Sequence, residues 1–198
     1  FFDGRGGPPA RGGGKSHRFY AAQSPDISNH EIQLTIQGQT ITSKYGTEAQ
    51  FIYNAEQLLT AGLYKSFFGH KNSIDTDSRS LIEQLSEISY EKYISLKKHP
   101  LFIPYLEEKS TLKYYANANI GSRPGKRGQK KKLELTDLRA ISFVGSWSQL
   151  KQNVPGYYGL GTAIKTLIDS GNLAALKDLF HNKPIFKALI LTSMMPLS

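Results

Sequence analysis

The chain has 198 residues, 39% of them hydrophobic and 21% charged, which is enough apolar content for a buried core and excludes disorder throughout. Twenty-five Lys and Arg against sixteen Asp and Glu leave a formal charge of +9, a balance that suits a polyanion, a site for multiply charged anions, or a basic piece of a more acidic protein. The absence of cysteine excludes a disulfide framework and a thiolate metal site.

No apolar run reaches the roughly 20 residues of a membrane span, and the N-terminus lacks the charged-then-apolar order of a signal peptide. A soluble protein is expected. The chain opens on Phe1-Phe2 without a methionine and stops at ILTSMMPLS without a polar tail, so a fragment of a longer protein is expected as well.

The first stretch, FFDGRGGPPARGGGKSH, holds Arg5 and Arg11 in a run dense in glycine and proline. Two readings compete. It is a disordered tail that coats nucleic acid through charge and the neighbouring aromatics Phe19 and Tyr20, or a mobile loop that closes on a small anion. The pattern is neither GxGxxG after a strand nor GxxxxGK[ST], so neither a dinucleotide fold nor a P-loop is supported.

Next, Ile32, Leu34 and Ile36 alternate with polar residues in IQLTIQGQTITSKYG, Gly38 offers a turn and Ile41 resumes the alternation. This predicts a β-hairpin or two short strands. From Thr47 to about Phe68 the spacing becomes helical, with Thr47 as N-cap, Gly69 as stop and Phe51, Ala55, Leu58, Leu59 and Leu63 on the apolar face. A second helix, from about Asp77 to His99, carries Leu81, Ile82, Leu85, Ile88, Tyr93 and Leu96 on one stripe and ends at Pro100. Phe51, Tyr90 and Tyr93 are read as core, since helix periodicity accounts for them without a base-stacking role.

The segment 117–132, NANIGSRPGKRGQKKK, is a second basic loop with Gly and Pro, whose lysine run can also be a solvated face. The apolar run LRAISFVGSW predicts a buried strand entering a helix. Between Gly156 and Leu197 three helical segments are expected, separated at Gly171-Asn172 and at Asn182-Lys183-Pro184. No repeat of solenoid period is visible, and the chain reads as mainly α with a few strands.

Four arginines stand out as candidate ligands: Arg5 and Arg11 in the first loop, Arg123 in GSRPGKR, and Arg139 at the edge of the apolar run. An unpaired guanidinium at such an edge is costly. Arg139 is either ion-paired with Asp137 or Glu134, or is a phosphate or carboxylate clamp, for which its bidentate fork is suited. The histidines His17, His30, His70, His99 and His181 are scattered and read as surface or capping residues, with His17 the exception because it shares the arginine loop. Asp3 is a lone carboxylate and does not make a magnesium site. There is no HExxH and no GxSxG.

Taken together, GRGGPPARGGGKSH, TIQGQTITSKYG, GSRPGKR and LRAISFVGSWSQLKQNVPGYYGLGTAI resemble, in order and spacing, the C-terminal part of phosphoenolpyruvate carboxylase. The resemblance implies a fragment of an α/β (TIM-type) barrel elaborated with extra helices, with residues 1–17 as the mobile catalytic loop. It implies that Arg5, Arg123 and Arg139 bind the substrate phosphate. Arg5 and Arg11 are then catalytic; Arg11, the loop arginine essential to carboxylation, also takes part in binding the inhibitor aspartate in regulated members.

The implied reaction joins phosphoenolpyruvate and bicarbonate. Bicarbonate attacks the phosphate, giving carboxyphosphate and the enolate of pyruvate; carbon dioxide is released inside the closed site and captured by the enolate as oxaloacetate, with phosphate as the other product. Further implications are a Mg2+ or Mn2+ cofactor whose ligands lie upstream of Phe1, a homotetramer as the full-length enzyme, a cytoplasmic location, and no nucleic-acid or membrane partner. On this reading the 198-residue chain alone has no carboxylase activity. The sequence departs from the family pattern at Asp3, where many members have histidine, and in LRAISF and SWSQ, which stand for LRAIPW and SWTQ. The arginines are unaffected, and the principal alternative remains a nucleic-acid-binding module built on the RGG-rich segment and the lysine run.

Overall fold

The computed structural model describes residues 2–3, 15–24, 31–36, 39–68, 74–117, 133–138, 140–150 and 157–194. In chain order the helices are α1 Ser16–Ala21, α2 Gln39–Tyr45, α3 Glu48–Phe68, α4 Thr76–Lys97, α5 Phe102–Glu108, α6 Leu112–Asn117, α7 Ala140–Gln149, α8 Leu160–Asp169, α9 Leu173–Asn182 and α10 Pro184–Met194. Two short strands, β1 (Phe2–Asp3) and β2 (Gln33–Leu34), pair in parallel, with Phe2 opposite Gln33 and Asp3 opposite Leu34. The described chain is mainly α, as the composition of its segments predicts. It forms two units, one of Phe1–Leu81 with Gly171–Ser198 and one of Ile82–Ser170.

In the first unit the helix from Thr47 forms as expected. The Thr47 hydroxyl accepts the Gln50 amide at 3.3 Å, and the Gln50 side-chain oxygen accepts the Thr47 amide at 3.2 Å, a capping box that satisfies two donors the helix start would leave orphaned. The predicted hairpin does not form. Among the described residues of that segment only Gln33–Leu34 is strand, and Gln39–Tyr45 is helix.

Tertiary contacts decide the second half of that segment against its β-branched composition. The Asn54 side-chain amide on α3 donates to the Lys44 carbonyl at 2.8 Å, which satisfies a carbonyl at the end of α2. The Tyr45 and Phe51 rings meet edge to face at 6.2 Å. Gly46 makes the tight exit possible, since a Cβ there would run into the Thr42 carbonyl oxygen. Ile41, which the alternation placed on a buried strand face, is 50% exposed.

The apolar face expected on α3 is also only partly used. Ala61 is buried, whereas Phe51, Leu59 and Leu63 are more than half exposed. The packed side is narrower, running through Asn54, Ala55, Leu58 and Ala61, and it lies against α1 and α2. Tyr90 is exposed too, so of the three aromatics read as core only Tyr93 is partly covered, with Tyr158 at 6.5 Å. The stop expected at Gly69 lies outside the described residues.

α4 begins at Thr76, one residue before the start expected at about Asp77, and Asp75 caps it. The Asp75 carboxylate accepts the Ser78 amide and the Ser78 hydroxyl, both at 2.8 Å, and pairs with Lys183 at 2.8 Å. Lys183 stands in the one-residue break between α9 and α10, so this cap also ties the start of α4 to that corner. The Lys183 ammonium, then the two Ser78 hydrogen bonds, hold the Asp75 carboxyl well below its ordinary value of 3.8.

A carboxyl depressed in the folded state contributes stability above its unfolded pKa and loses it as the pH falls toward the folded one. We expect the first unit to lose stability on acidification below about pH 4. Asp75→Asn should lower stability at neutral pH and flatten that acid limb, as checked by urea midpoints across the acid range.

The second unit has its core where α5, α6 and α7 meet. Phe102, Leu106, Leu112 and Trp147 are buried, with Leu96, Tyr105, Leu138, Phe143 and Leu150 packed against them. The Trp147 ring stacks on Tyr105 at 5.8 Å and meets Phe143 edge to face at 6.0 Å. This cluster also explains why LRAISFVGSW is helical from Ala140: Phe143, Trp147 and Leu150 fall at i, i+4 and i+7, which puts all three on one helix face. A short apolar run satisfies either period, and here packing selected the helix.

The α4 stripe is as predicted, with Leu81 and Leu85 buried. So are the three helices after Gly156, broken where expected, at Gly171 and at Lys183. Gly159 enters α8 with φ +97°, a left-handed conformation in which a Cβ would also collide with the Ser89 carbonyl on α4.

Candidate functional site

Arg5, Arg11, Arg123 and Arg139 all lie outside the described residues, as do the first loop from Gly4 to Gly14 and nearly all of the segment 117–132. Asp3 is described as strand backbone, without its side chain. What the structure supplies is the framework on either side of these residues.

Arg139 follows a 3-10 turn at Leu135–Asp137. Glu134 and Asp137, the acids weighed as its ion-pair partners, form a reciprocal capping box, with the Asp137 carboxylate accepting the Glu134 amide at 3.0 Å. Asp137 is 8% exposed, and its carboxylate braces the turn. The Leu133 amide donates to Glu107 at 3.1 Å, so the backbone leading to Arg139 is anchored to α5. Directly after Arg139, Ala140 opens α7, whose Trp147 face is locked into the core.

The first loop ends on α1. Ser16 and His17 open this helix, and its Tyr20 is 3% exposed. Buried in the fold, Tyr20 has no ring face to offer a stacked base. The start of α1, the end of α2 and one side of α3 enclose a cleft of about 320 Å³, lined among others by Lys15, His17, Lys44, Tyr45, Tyr53 and Leu58.

The electrostatics of this cleft are one-sided. Burial, then the charges of Arg18, Lys15 and Lys44, pull the His17 pKa below its ordinary 6.5, and burial alone lowers that of Lys44. Burial also raises the Tyr45 phenol, so near neutral pH it contributes no negative charge. His17 was singled out for its place in the arginine loop, and here it does sit among basic groups. Lys44 lies in the TIQGQTITSKYG stretch that shares in the resemblance, yet it becomes noticeable as a site residue only through the turn that α2 makes onto α3.

The other described histidines are unremarkable. His99 Nδ1 accepts the Leu101 amide at 3.2 Å, a local capping role, and His181 is exposed beside Phe180. His30 and His70 lie outside the described residues. Among the described residues no three His, Asp or Glu side chains are grouped so as to hold a metal ion, and no helix is long and apolar enough to cross a membrane.

Comparison with known families gives one finding of full extent. The family model for phosphoenolpyruvate carboxylase matches residues 1–198, the whole chain.

Proposed function

Because the chain belongs to the phosphoenolpyruvate carboxylase family, we propose that it supplies the arginine-bearing part of the site at which phosphoenolpyruvate and bicarbonate become oxaloacetate and phosphate. The observation that carries this reading is the family match over the entire chain; the roles given to Arg5, Arg11, Arg123 and Arg139 rest on the resemblance of GRGGPPARGGGKSH, GSRPGKR and LRAISF to the family's motifs.

Arg5, Arg123 and Arg139 are assigned to the phosphate. Guanidinium groups suit this work because their charge is permanent and their paired N-H groups match two oxygens at once. As a bicarbonate oxygen adds to phosphorus and the bond from phosphorus to the enol oxygen breaks, negative charge spreads over the phosphate oxygens and the enolate, and fixed cations stabilise it. Arg11 is assigned to the second half of the reaction, in which the enolate captures carbon dioxide. The glycines around it let the loop close, which keeps water from protonating the enolate to pyruvate.

The order β1-α1-β2, with the two strands parallel, supports placing these elements in an α/β barrel, since a parallel pair joined through a helix is the unit from which such barrels are built. Arg5 then follows the C-terminal end of a strand, where barrel enzymes carry their catalytic groups. Enzymes of this family use a divalent metal ion. The described side chains do not fit one, and we assign its carboxylate ligands to sequence outside these 198 residues. On this reading the chain alone forms no oxaloacetate, and the complete enzyme is a cytoplasmic homotetramer.

The test is an assay of the protein that carries this chain. Oxaloacetate should form only when phosphoenolpyruvate and bicarbonate are both present. Turnover of phosphoenolpyruvate that ignores bicarbonate would sink the assignment.

A further inference from the structure

The cleft between α1, α2 and α3 gathers Lys15, His17 and Lys44, and among the described residues no carboxylate lines it. Among the described residues neither lysine has an ion-pair partner; the pairs there join Lys165 to Asp169 and Lys183 to Asp75. Lys44 is half-buried, so its ammonium has lost part of its hydration and gained no counter-charge in exchange. Three basic groups that repel one another and share a concave, partly dry surface make a site short of an anion.

The rest of the lining has different chemistry. Tyr45, Tyr53 and Leu58 present apolar surface to the same cleft, and a volume of about 320 Å³ exceeds what a bare oxyanion fills. The Asn54 side-chain nitrogen is already committed to the Lys44 and Gln50 carbonyls. It therefore holds the Lys44 backbone in place and leaves ligand binding to the basic side chains.

We infer that this cleft is a binding site for a small phosphate monoester, with the phosphate on Lys15, His17 and Lys44 and the organic part against Tyr45, Tyr53 and Leu58. The inference assigns no role to the four arginines, so its test is separate from that of the functional proposal above. The site lies where the glycine-rich loop joins α1, and an occupant would fix the loop's C-terminal anchor.

The test is an NMR titration of the His17 imidazole in the full 198-residue chain, with inorganic phosphate and phenyl phosphate as probes. Both should raise the His17 pKa saturably, and phenyl phosphate should bind more tightly. Lys44→Gln should weaken binding about tenfold or more, the usual worth of a charged hydrogen bond, and Lys44→Arg should largely keep it. Arg5→Ala and Arg11→Ala should leave the titration unchanged. The inference is overturned if His17 does not respond, if the response survives Lys44→Gln, if it disappears with the loop arginines, or if inorganic phosphate binds as tightly as phenyl phosphate.

Discussion

Replacing Arg11 with alanine, in the protein that carries this chain, is expected to abolish oxaloacetate formation while leaving the fold unchanged. Removing one fixed donor from a developing anion commonly costs about 10²- to 10³-fold in rate, and removing a transition-state arginine costs more. Arg11 stands in a glycine-rich stretch of the sequence that carries no apolar pattern, so no core position is expected there. Its effect should fall on kcat, with the KM for phosphoenolpyruvate little changed, because phosphate binding is assigned to the other three arginines. Bicarbonate-dependent phosphate release should persist, accompanied by pyruvate, since an enolate that fails to capture carbon dioxide takes a proton from water. Arg139→Ala should do the opposite and raise the KM first. Equal loss of both products in the Arg11 variant would place Arg11 in phosphate binding.

The second large effect is on stability. Leu106→Ala should destabilise the second unit by about 2 to 5 kcal/mol, the usual cost of a cavity in a packed core. Leu106 is 0% exposed and lies beside Phe102, Leu112 and Trp147. Trp147 is the only tryptophan in the chain and sits in that cluster, so its fluorescence reports this unit selectively. With a urea dependence of about 1 to 3 kcal/mol per molar, the midpoint should drop by about 1 M or more. A shift within error would mean that this cluster does not hold the unit together. The same substitution should leave the Asp75-dependent acid response untouched, because Asp75 and Lys183 belong to the other unit.

Much of the helical framework was legible because it rests on local chemistry. Thr47 and Gln50 form a capping box that follows from residue type and spacing alone, and the breaks at Gly171 and Lys183 coincide with a glycine and the residue before a proline. Two segments misled for the same reason. TITSKY and LRAISF are short and β-branched or apolar, so they satisfy strand and helix patterns alike, and the choice is made by contacts distant in sequence: Asn54 on the Lys44 carbonyl in one case, Trp147 and Phe143 on α5 in the other. The face of α3 misled differently. Periodicity says which residues share a side of a helix but not whether anything covers it, and Phe51, Leu59 and Leu63 remain exposed.

The candidate site divides along the same line. The arginines were legible as motif residues, because glycine-flanked guanidinium groups are conspicuous and their order along the chain matches a family. The basic cleft was not, because Lys44 acquires its surroundings only when α2 turns back on α3. The sequence also drew attention to Asp3 as a departure from the family pattern. The structure places it in β1 opposite Leu34, one residue before the glycine that opens the arginine loop.

The central claim is that phosphate transfer to bicarbonate precedes carbon-carbon bond formation at the arginine site. It is tested most directly by supplying bicarbonate labelled with heavy oxygen and analysing the products by mass spectrometry. The account predicts one labelled oxygen in each phosphate released, because the attacking bicarbonate oxygen stays on phosphorus when carboxyphosphate breaks down, and the remaining label in the new carboxylate of oxaloacetate. Unlabelled phosphate alongside labelled oxaloacetate would contradict it, since carbon dioxide would then have been captured without any attack on phosphorus.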